Sequence, residues 1–296
     1  MKVDNSVQWK YQDPNTIDFK PLNVAVIGGT GGIGRAISRL LALSGANVFV
    51  VGQTFRDSDV KGINFIKGDL SSIAEAKRIA KELPQDKLDI AIFTAGIFAS
   101  SKREETGEGL ERDMAVSYLN RLAMIRTIAP TFEKSKSELG FNKRIFIMGF
   151  PGNDQLGTID NLNQEKSYGT MQAHMNTVAG NEALVVDLAE RYKYVGFYGL
   201  NPGLIRTNIR SNLFGNGILH TVAESLIGWF NQSADDYAKK IVPLFVSPDI
   251  ENHSGAMFNN KGQAVLGSKG FTKEYAKDFI AKSEVLLKSK GLDTES

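Results

Sequence analysis

The chain has 296 residues, 42% hydrophobic and 23% charged, which is the composition of an ordinary globular protein with room for a sizeable core. A formal net charge of +2 gives no reason to expect nucleic acid or acidic lipid as a partner. The absence of cysteine excludes disulfides, thiolate nucleophiles and cysteine-bound metals, and no metal site is predicted.

The two ends of the chain differ from its body. Residues 1–20 are polar, lack the apolar core of a secretory signal and are predicted to form an N-terminal extension. Residues 21–291 are expected to form one domain, followed by a polar tail at 292–296. Because no run approaches the roughly 18 to 20 apolar residues that cross a bilayer, we expect a cytoplasmic protein without an integral membrane segment.

Strand and helix patterns alternate along this domain. Short runs that are β-branched or aromatic and apolar on both faces predict strands at 22–28, 47–52, 63–68, 88–93, 143–149, 195–200 and 255–260. Helical patterns lie at 33–45, 71–83, 107–132, about 174–192, 233–247 and 271–289. This alternation predicts an α/β protein with a single doubly wound parallel sheet and helices on both of its faces.

A glycine-rich turn joins the first predicted strand to the first helix, where segment 28–35 reads GGTGGIGR. Glycines let the backbone turn tightly and approach a pyrophosphate, while the start of the helix offers free N–H groups and a favourable dipole. Since the turn lies between a strand and a helix at the start of the alternating pattern, it predicts a dinucleotide-binding site.

Three further motifs follow in order along the chain. Asp69-Leu70 comes after the third strand, Thr94-Ala95-Gly96 after the fourth, and segment 201–207 (NPGLIRT) after the sixth. With the spacing of Gly28, Gly32 and Gly34, they make residues 22 to about 210 resemble the short-chain dehydrogenase/reductase family. The similarity is greatest to its retinol-dehydrogenase-like branch and to yeast aldehyde reductases. The resemblance implies a Rossmann fold, NAD or NADP as cofactor, a small-molecule carbonyl substrate, and permits a homo-oligomer.

The same resemblance assigns the cofactor contacts. Asp69 and Leu70 would meet the adenine, Ala95 and Gly96 would pass close to the ribose, and the motif after the sixth strand would frame the nicotinamide. The full expected set is Gly28, Thr30, Gly32, Ile33, Gly34, Gln53, Arg56, Asp69, Leu70, Ala95, Gly96, Pro202, Gly203 and Thr207.

The end of the second strand bears on the choice between NAD and NADP. A carboxylate there would bind the ribose 2′-hydroxyl of NAD, whereas an arginine would accept a 2′-phosphate. Gln53 stands where NADP-preferring members often place arginine, and Arg56 lies three residues further on. No carboxylate follows the strand directly, so NADP is permitted and NAD stays open.

The predicted catalytic helix poses a question of register. Reductases of the resembled family use a tyrosine as general acid and a lysine one helical turn later, a spacing that puts both on one face. Tyr168 is followed at that spacing by Gln172. In the retinol-dehydrogenase-like branch, however, the catalytic tyrosine comes about six residues after a non-catalytic one. That register puts His174 at the tyrosine position and Val178 at the lysine position.

The other two positions of the family's catalytic tetrad are also changed. Phe150 stands where the family has serine, and Ser117 where it has asparagine. Phe150 cannot donate a hydrogen bond to a carbonyl, and Val178 cannot hold a positive charge beside an acid. His174 and Tyr168 are therefore the two candidate proton donors. Histidine can supply a proton because an unperturbed imidazole titrates near neutral pH.

Two hypotheses follow from this altered tetrad. The first is an NAD(P)-dependent oxidoreductase that reduces an aldehyde or other carbonyl with an atypical active site. The second is an inactive pseudo-dehydrogenase that binds NAD(P) as a binding or sensing module. Segment 205–232 follows the Pro-Gly turn, where the resembled family keeps its substrate flap, and its apolar residues fit a substrate pocket, core packing or a subunit interface equally well.

Overall fold

One sheet runs through the residues that the computed structural model describes, 1–203 and 232–293. Its strands are β1 (Asn23–Ile27), β2 (Asn47–Gly52), β3 (Ile63–Lys67), β4 (Ile90–Phe93), β5 (Arg144–Met148), β6 (Gly196–Leu200), β7 (Met257–Phe258) and β8 (Ala264–Val265). Their spatial order is β3-β2-β1-β4-β5-β6-β7-β8, parallel as far as β7, with β8 antiparallel to β7. The predicted doubly wound sheet is confirmed.

Helices cover both faces of this sheet. They are α1 (Gly32–Leu43), α2 (Ile73–Glu82), α3 (Arg112–Met114), α4 (Asn120–Phe132), α5 (Thr170–Arg191), α6 (Ala234–Ile241) and α7 (Lys273–Ser289). A π-helical turn, Ala115–Leu119, joins α3 to α4 without a break. Helices α1 and α6 contribute to the apolar cluster on one face, and α2, α4, α5 and α7 contribute to the cluster on the other.

Several elements differ from the sequence prediction. Helix α5 begins at Thr170 rather than near residue 174, because the extended Gly169 caps it, and His174 therefore lies one turn inside the helix. The helix predicted at 233–247 ends as an α-helix at Ile241 and continues as a 3₁₀ turn, since Pro243 cannot donate an amide hydrogen. Strand β8 escaped prediction because two residues are too few to show a pattern.

The N-terminal residues attach to the outer edge of the sheet. Val3 forms an antiparallel bridge with Val265 of β8, and the indole N–H of Trp9 donates to the carbonyl of Gly262 over 2.6 Å. Residues 205–231 of the predicted flap, with Thr207, and residues 294–296 of the predicted tail lie outside the described residues. Within the described part, no helix is both long and apolar enough to cross a membrane.

Helix α7 lies across the helices that follow β4 and β5. The Tyr118 hydroxyl donates to Ser283 Oγ over 2.8 Å, and Arg126 of α4 forms an ion pair with Glu284. The ring of Phe279 meets Tyr118 edge-on at 5.8 Å between centroids. These contacts brace α4 and α5, the two helices that carry much of the site described next.

Candidate active site

The glycine turn follows β1 and packs against Thr94 and Ala95, which come directly after the neighbouring strand β4. Gly28 has φ +92°, and a Cβ added there would lie 2.6 Å from the Cα of Ala95. A Cβ on Gly34 would overlap Thr94 Oγ1 and come within 3.0 Å of the carbonyl carbon of Gly28. A side chain at either position would displace backbone, so both glycines are needed for the turn to pack this closely against the end of β4. We call this turn, together with the first amides of α1, the glycine cradle, because such a turn at the start of a helix suits a pyrophosphate.

Residues predicted to meet the adenosine half of a cofactor lie at the ends of β2 and β3. Asp69 accepts hydrogen bonds from the backbone N–H of Ser71 at 2.9 Å and from Gln53 Nε2 at 3.2 Å. Partial burial opposes ionisation of Asp69, but these hydrogen bonds outweigh it and hold the pKa below its usual range. The side chain of Leu70 is buried in the core, which leaves only its backbone to face a ligand.

Two charged residues, Arg56 and Asp57, follow β2 near the expected 2′ position of the ribose, and they differ in exposure. Arg56 is exposed, and its Nη1 donates to the carbonyl of Thr30 over 2.9 Å. The neighbouring Asp57 is buried, with 3% of its surface exposed, and is held by Arg35 in a two-pronged contact and by Arg39. The nearest carboxylate after β2 is therefore directed at α1 and neutralised there.

We expect Asp57→Asn to lower the free energy of unfolding at pH 7 by about 1–3 kcal/mol, because it removes charge-assisted hydrogen bonds from a buried group. The guanidinium of Arg35 outweighs burial and lowers the pKa of Asp57. A lowered pKa stabilises the fold above the unfolded-state value of about 3.9 and loses this contribution as pH falls through the folded-state value. Urea unfolding should show the difference in free energy of unfolding between wild type and Asp57→Asn at pH 7, and this difference should disappear at about pH 3 and below. Asp59→Asn, on an exposed residue of the same loop, is the control; an equal loss in both variants contradicts the assignment.

His174 is held on two sides. Its Nδ1 lies 2.7 Å from Oδ2 of Asp113, a carboxylate with no exposed side-chain surface. Its ring stacks on Phe98 with 4.0 Å between centroids and 27° between planes. The imidazole keeps 22% of its surface exposed, so it is fixed in orientation and still open to solvent.

Ser117 connects His174 to the glycine turn. Its hydroxyl donates to the other oxygen of Asp113 and accepts from the backbone N–H of Ile97 over 3.0 Å. A Cβ on Gly96 would lie 3.5 Å from Ser117 Oγ, and the adjoining Ala95 is the residue against which Gly28 packs. A chain of contacts thus links the predicted cofactor turn to the predicted proton donor. Both belong to the end of the sheet where the strand order reverses between β1 and β4, which is where folds of this class form a ligand-binding crevice.

The hydroxyl of Tyr168, the other candidate proton donor, is already hydrogen-bonded to the main chain. It donates to the carbonyl of Ser100, which also accepts from Thr170 Oγ1 over 3.0 Å. Burial, with the negative charges of Glu111 and Asp113, raises the pKa of Tyr168. This environment is the reverse of what an acidic tyrosine needs, because a nearby cation would lower the pKa and carboxylates raise it.

Four more of the predicted site residues lie on α5 and just after β5 and β6. Val178 is buried one turn after His174, and Phe150 is half-buried just beyond β5. Pro202 is buried, and Gly203 has φ +67° with its N–H bound to Asn201 Oδ1 at 3.0 Å. No cluster of histidine and carboxylates with the makings of a metal site occurs in the described residues.

Two site residues escaped the sequence analysis. Asp113 lies one helical turn before Ser117, and a carboxylate at that spacing was the available signal. Arg121, one turn after Ser117, is buried and donates to the main-chain carbonyls of Ala95 and Met148 and, over 2.8 Å, to Asn181 Oδ1. Burial lowers the pKa of Arg121 to about 9, with Asp113 opposing the shift, so a cation persists beneath the site at neutral pH.

Comparisons with known proteins give related sequences along almost the whole chain. The family model described as short chain dehydrogenase matches residues 22–139. An uncharacterized oxidoreductase of Saccharomyces cerevisiae is 52% identical over 291 residues, which cover 97% of this chain and 94% of that protein. Human retinol dehydrogenase 14 is 24% identical over 306 residues, covering 93% and 88% of the two chains.

Solved structures share the fold. The NADH-dependent reductase A1-R′ complexed with NAD superposes with a TM-score of 0.60 at 17% identity, covering 83% of this chain and 97% of that one. The Pseudomonas aeruginosa RhlG/NADP active-site complex gives a TM-score of 0.62 at 18% identity, covering 83% and 98%.

Proposed function

Because the chain belongs to the short-chain dehydrogenase/reductase family, we propose that it is an NAD(P)-dependent oxidoreductase that reduces an aldehyde or another carbonyl compound at an atypical active site. The observation that carries the proposal is the glycine cradle, which Ser117 and Asp113 connect to a fixed, solvent-accessible histidine. A site that had lost all chemistry would have no need of that arrangement.

The cofactor of this proposal is NAD or NADP. The cradle at Gly28 and Gly34 suits the pyrophosphate, which both cofactors share. The exposed Arg56 and the sequestered Asp57 leave room for a 2′-phosphate, and Gln53 with Asp69 offers hydrogen-bonding groups to a ribose or an adenine. Of the two related structures above, one holds NAD and the other NADP.

The chain's own part in the reaction is to hold the carbonyl and deliver a proton. A bound reduced nicotinamide would supply the hydride. Phe150 offers an apolar wall where the family's serine would bind the carbonyl oxygen, so orientation must come from packing and from the proton donor. His174 and Tyr168 are the two candidates for that donor.

Purified protein with NADH or NADPH and a panel of aliphatic and aromatic aldehydes tests the function through the loss of reduced-nicotinamide absorbance. We expect His174→Gln to lower kcat by about 10²–10⁴-fold, the usual cost of losing general acid catalysis. Tyr168→Phe is measured beside it. A loss confined to the tyrosine variant would move the role to Tyr168, and unchanged rates in both variants would remove both roles.

A second candidate function is a binding or sensing module for NAD(P). The observation that favours it is the buried, uncharged Val178 one turn after His174, with Phe150 in place of a hydroxyl. Calorimetric binding of NADH or NADPH without turnover of any aldehyde would select this function. Failure to bind either cofactor would remove both candidates.

A further inference from the structure

We propose that Asp113 is a positioning residue for His174, and that the two form a proton-donating pair in place of the tyrosine and lysine of the family. This inference deepens the proposed function and rests on it.

The first part of the argument is orientation. Nδ1 of His174 lies 2.7 Å from Oδ2 of Asp113, whose side chain is wholly buried. A carboxylate facing Nδ1 assigns the ring proton to that nitrogen in the neutral form, because an ionised carboxylate only accepts. The ring face on Phe98 limits rotation, which leaves the Nε2 edge for the crevice.

The second part is the anchoring of the carboxylate itself. Oδ1 of Asp113 accepts from the Ser117 hydroxyl, and Ser117 in turn accepts from the N–H of Ile97 at 3.0 Å. Each oxygen of Asp113 therefore has its own partner, and the carboxylate cannot turn without breaking one of them. Ser117, at the asparagine position of the family tetrad, thus acquires a part in holding the pair.

The charged and titratable groups that face this pair come from three elements. Glu111, which caps α3, and Tyr168, which precedes α5, flank it; burial raises the pKa of both. Arg121 faces Asp113 from α4 with a buried guanidinium. Arg121 therefore places a positive charge on the buried side of Asp113, whose Oδ2 contacts His174.

A bound reduced nicotinamide would supply a hydride to the substrate carbonyl carbon. The carbonyl oxygen, which gains the π electron pair, would then take the proton from Nε2 of His174. The imidazolium becomes neutral while its other proton stays on Nδ1, bound to Asp113. Solvent at the exposed edge of the ring returns a proton to Nε2 before the next turnover.

The test compares ¹⁵N spectra of wild type and Asp113→Asn, in which the ring tautomer can be read directly. The chain has three histidines, and the set of signals missing in His174→Gln identifies those of His174. In wild type at high pH we expect a neutral His174 ring with its proton on Nδ1. In Asp113→Asn the proton should move toward Nε2, since an amide can donate to Nδ1 as well as accept.

The kinetic readout follows from the same assignment. Asp113→Asn should lower kcat by about 10²–10⁴-fold while KM changes only a few-fold, because Asp113 does not touch substrate.

Two outcomes overturn the pair: a neutral wild-type ring protonated on Nε2, or a ring tautomer and kcat unchanged in a folded Asp113→Asn protein. The wild-type spectrum tests the predicted Nδ1 protonation of His174 even if the Asp113→Asn variant fails to fold. Failure of the proposed function is a separate result, absence of turnover in wild type, which leaves the tautomer measurement intact.

Discussion

Replacing Gly28 with alanine is expected to weaken the binding of NADH and NADPH by at least about 100-fold, which is about 2.8 kcal/mol. The added Cβ would lie 2.6 Å from the Cα of Ala95, and the residue would have to hold φ +92°. Both the strain and the overlap are relieved only by moving the turn away from β4, which destroys the cradle. Calorimetric titration with each cofactor measures the effect.

Gly31 provides the matched control in the same turn. Its backbone is extended, with φ −155°, and the nearest atom to an added Cβ is Arg56 Nη1 at 3.7 Å. Gly31→Ala should therefore bind cofactor within a few-fold of wild type. Circular dichroism and urea unfolding establish whether each variant is folded. Equal affinities in a folded Gly28→Ala protein and in wild type would mean that the cofactor does not lie against this turn.

Phe279→Ala is expected to lower the free energy of unfolding by about 3–5 kcal/mol, the usual cost of removing a buried aromatic ring. Phe279 is 0% exposed on α7 and packs edge-on against Tyr118. A Cβ placed on Gly157 would reach 3.2 Å from Phe279 Cε2, so the ring also meets the loop before α5. Urea unfolding at pH 7 gives the value, and cofactor affinity should fall with the folded fraction.

Val285 lies on the same helix with 66% of its surface exposed. Val285→Ala should change the free energy of unfolding by no more than about 0.5 kcal/mol. A comparable loss in both variants would mean that the buried packing of Phe279 is not the source of the loss.

The sheet and the glycine cradle could be predicted because their signals are local. Strands such as β4 and β5 are buried on both faces and therefore appear in the sequence as nearly unbroken apolar runs. A strand followed directly by GGTGGIGR further indicates a dinucleotide-binding site. The start of α5 could not be placed as well, since the polar residues Thr170 and Gln172 carry little periodicity.

The partner of His174 could not be predicted, because it depends on a long-range contact. Asp113 and His174 are separated by 61 positions, and only the crossing of α3 with α5 brings them together. Register arguments identified His174 by its neighbours in the chain, whereas its carboxylate is a neighbour in space. Arg121 shows the same limit, since its acceptors lie at the ends of two strands and on a third element.

The position of α7 has a consequence for the order in which the chain matures. Its contacts span the sequence: the Tyr118–Ser283 hydrogen bond joins residues 165 positions apart, and the Arg126–Glu284 pair joins residues 158 apart. During synthesis, the apolar backs of α4 and α5 stay uncovered until the ribosome has released α7. Such distant contacts form late and slowly. The sheet can therefore assemble on the ribosome, whereas the crevice reaches its final structure only after α7 has docked.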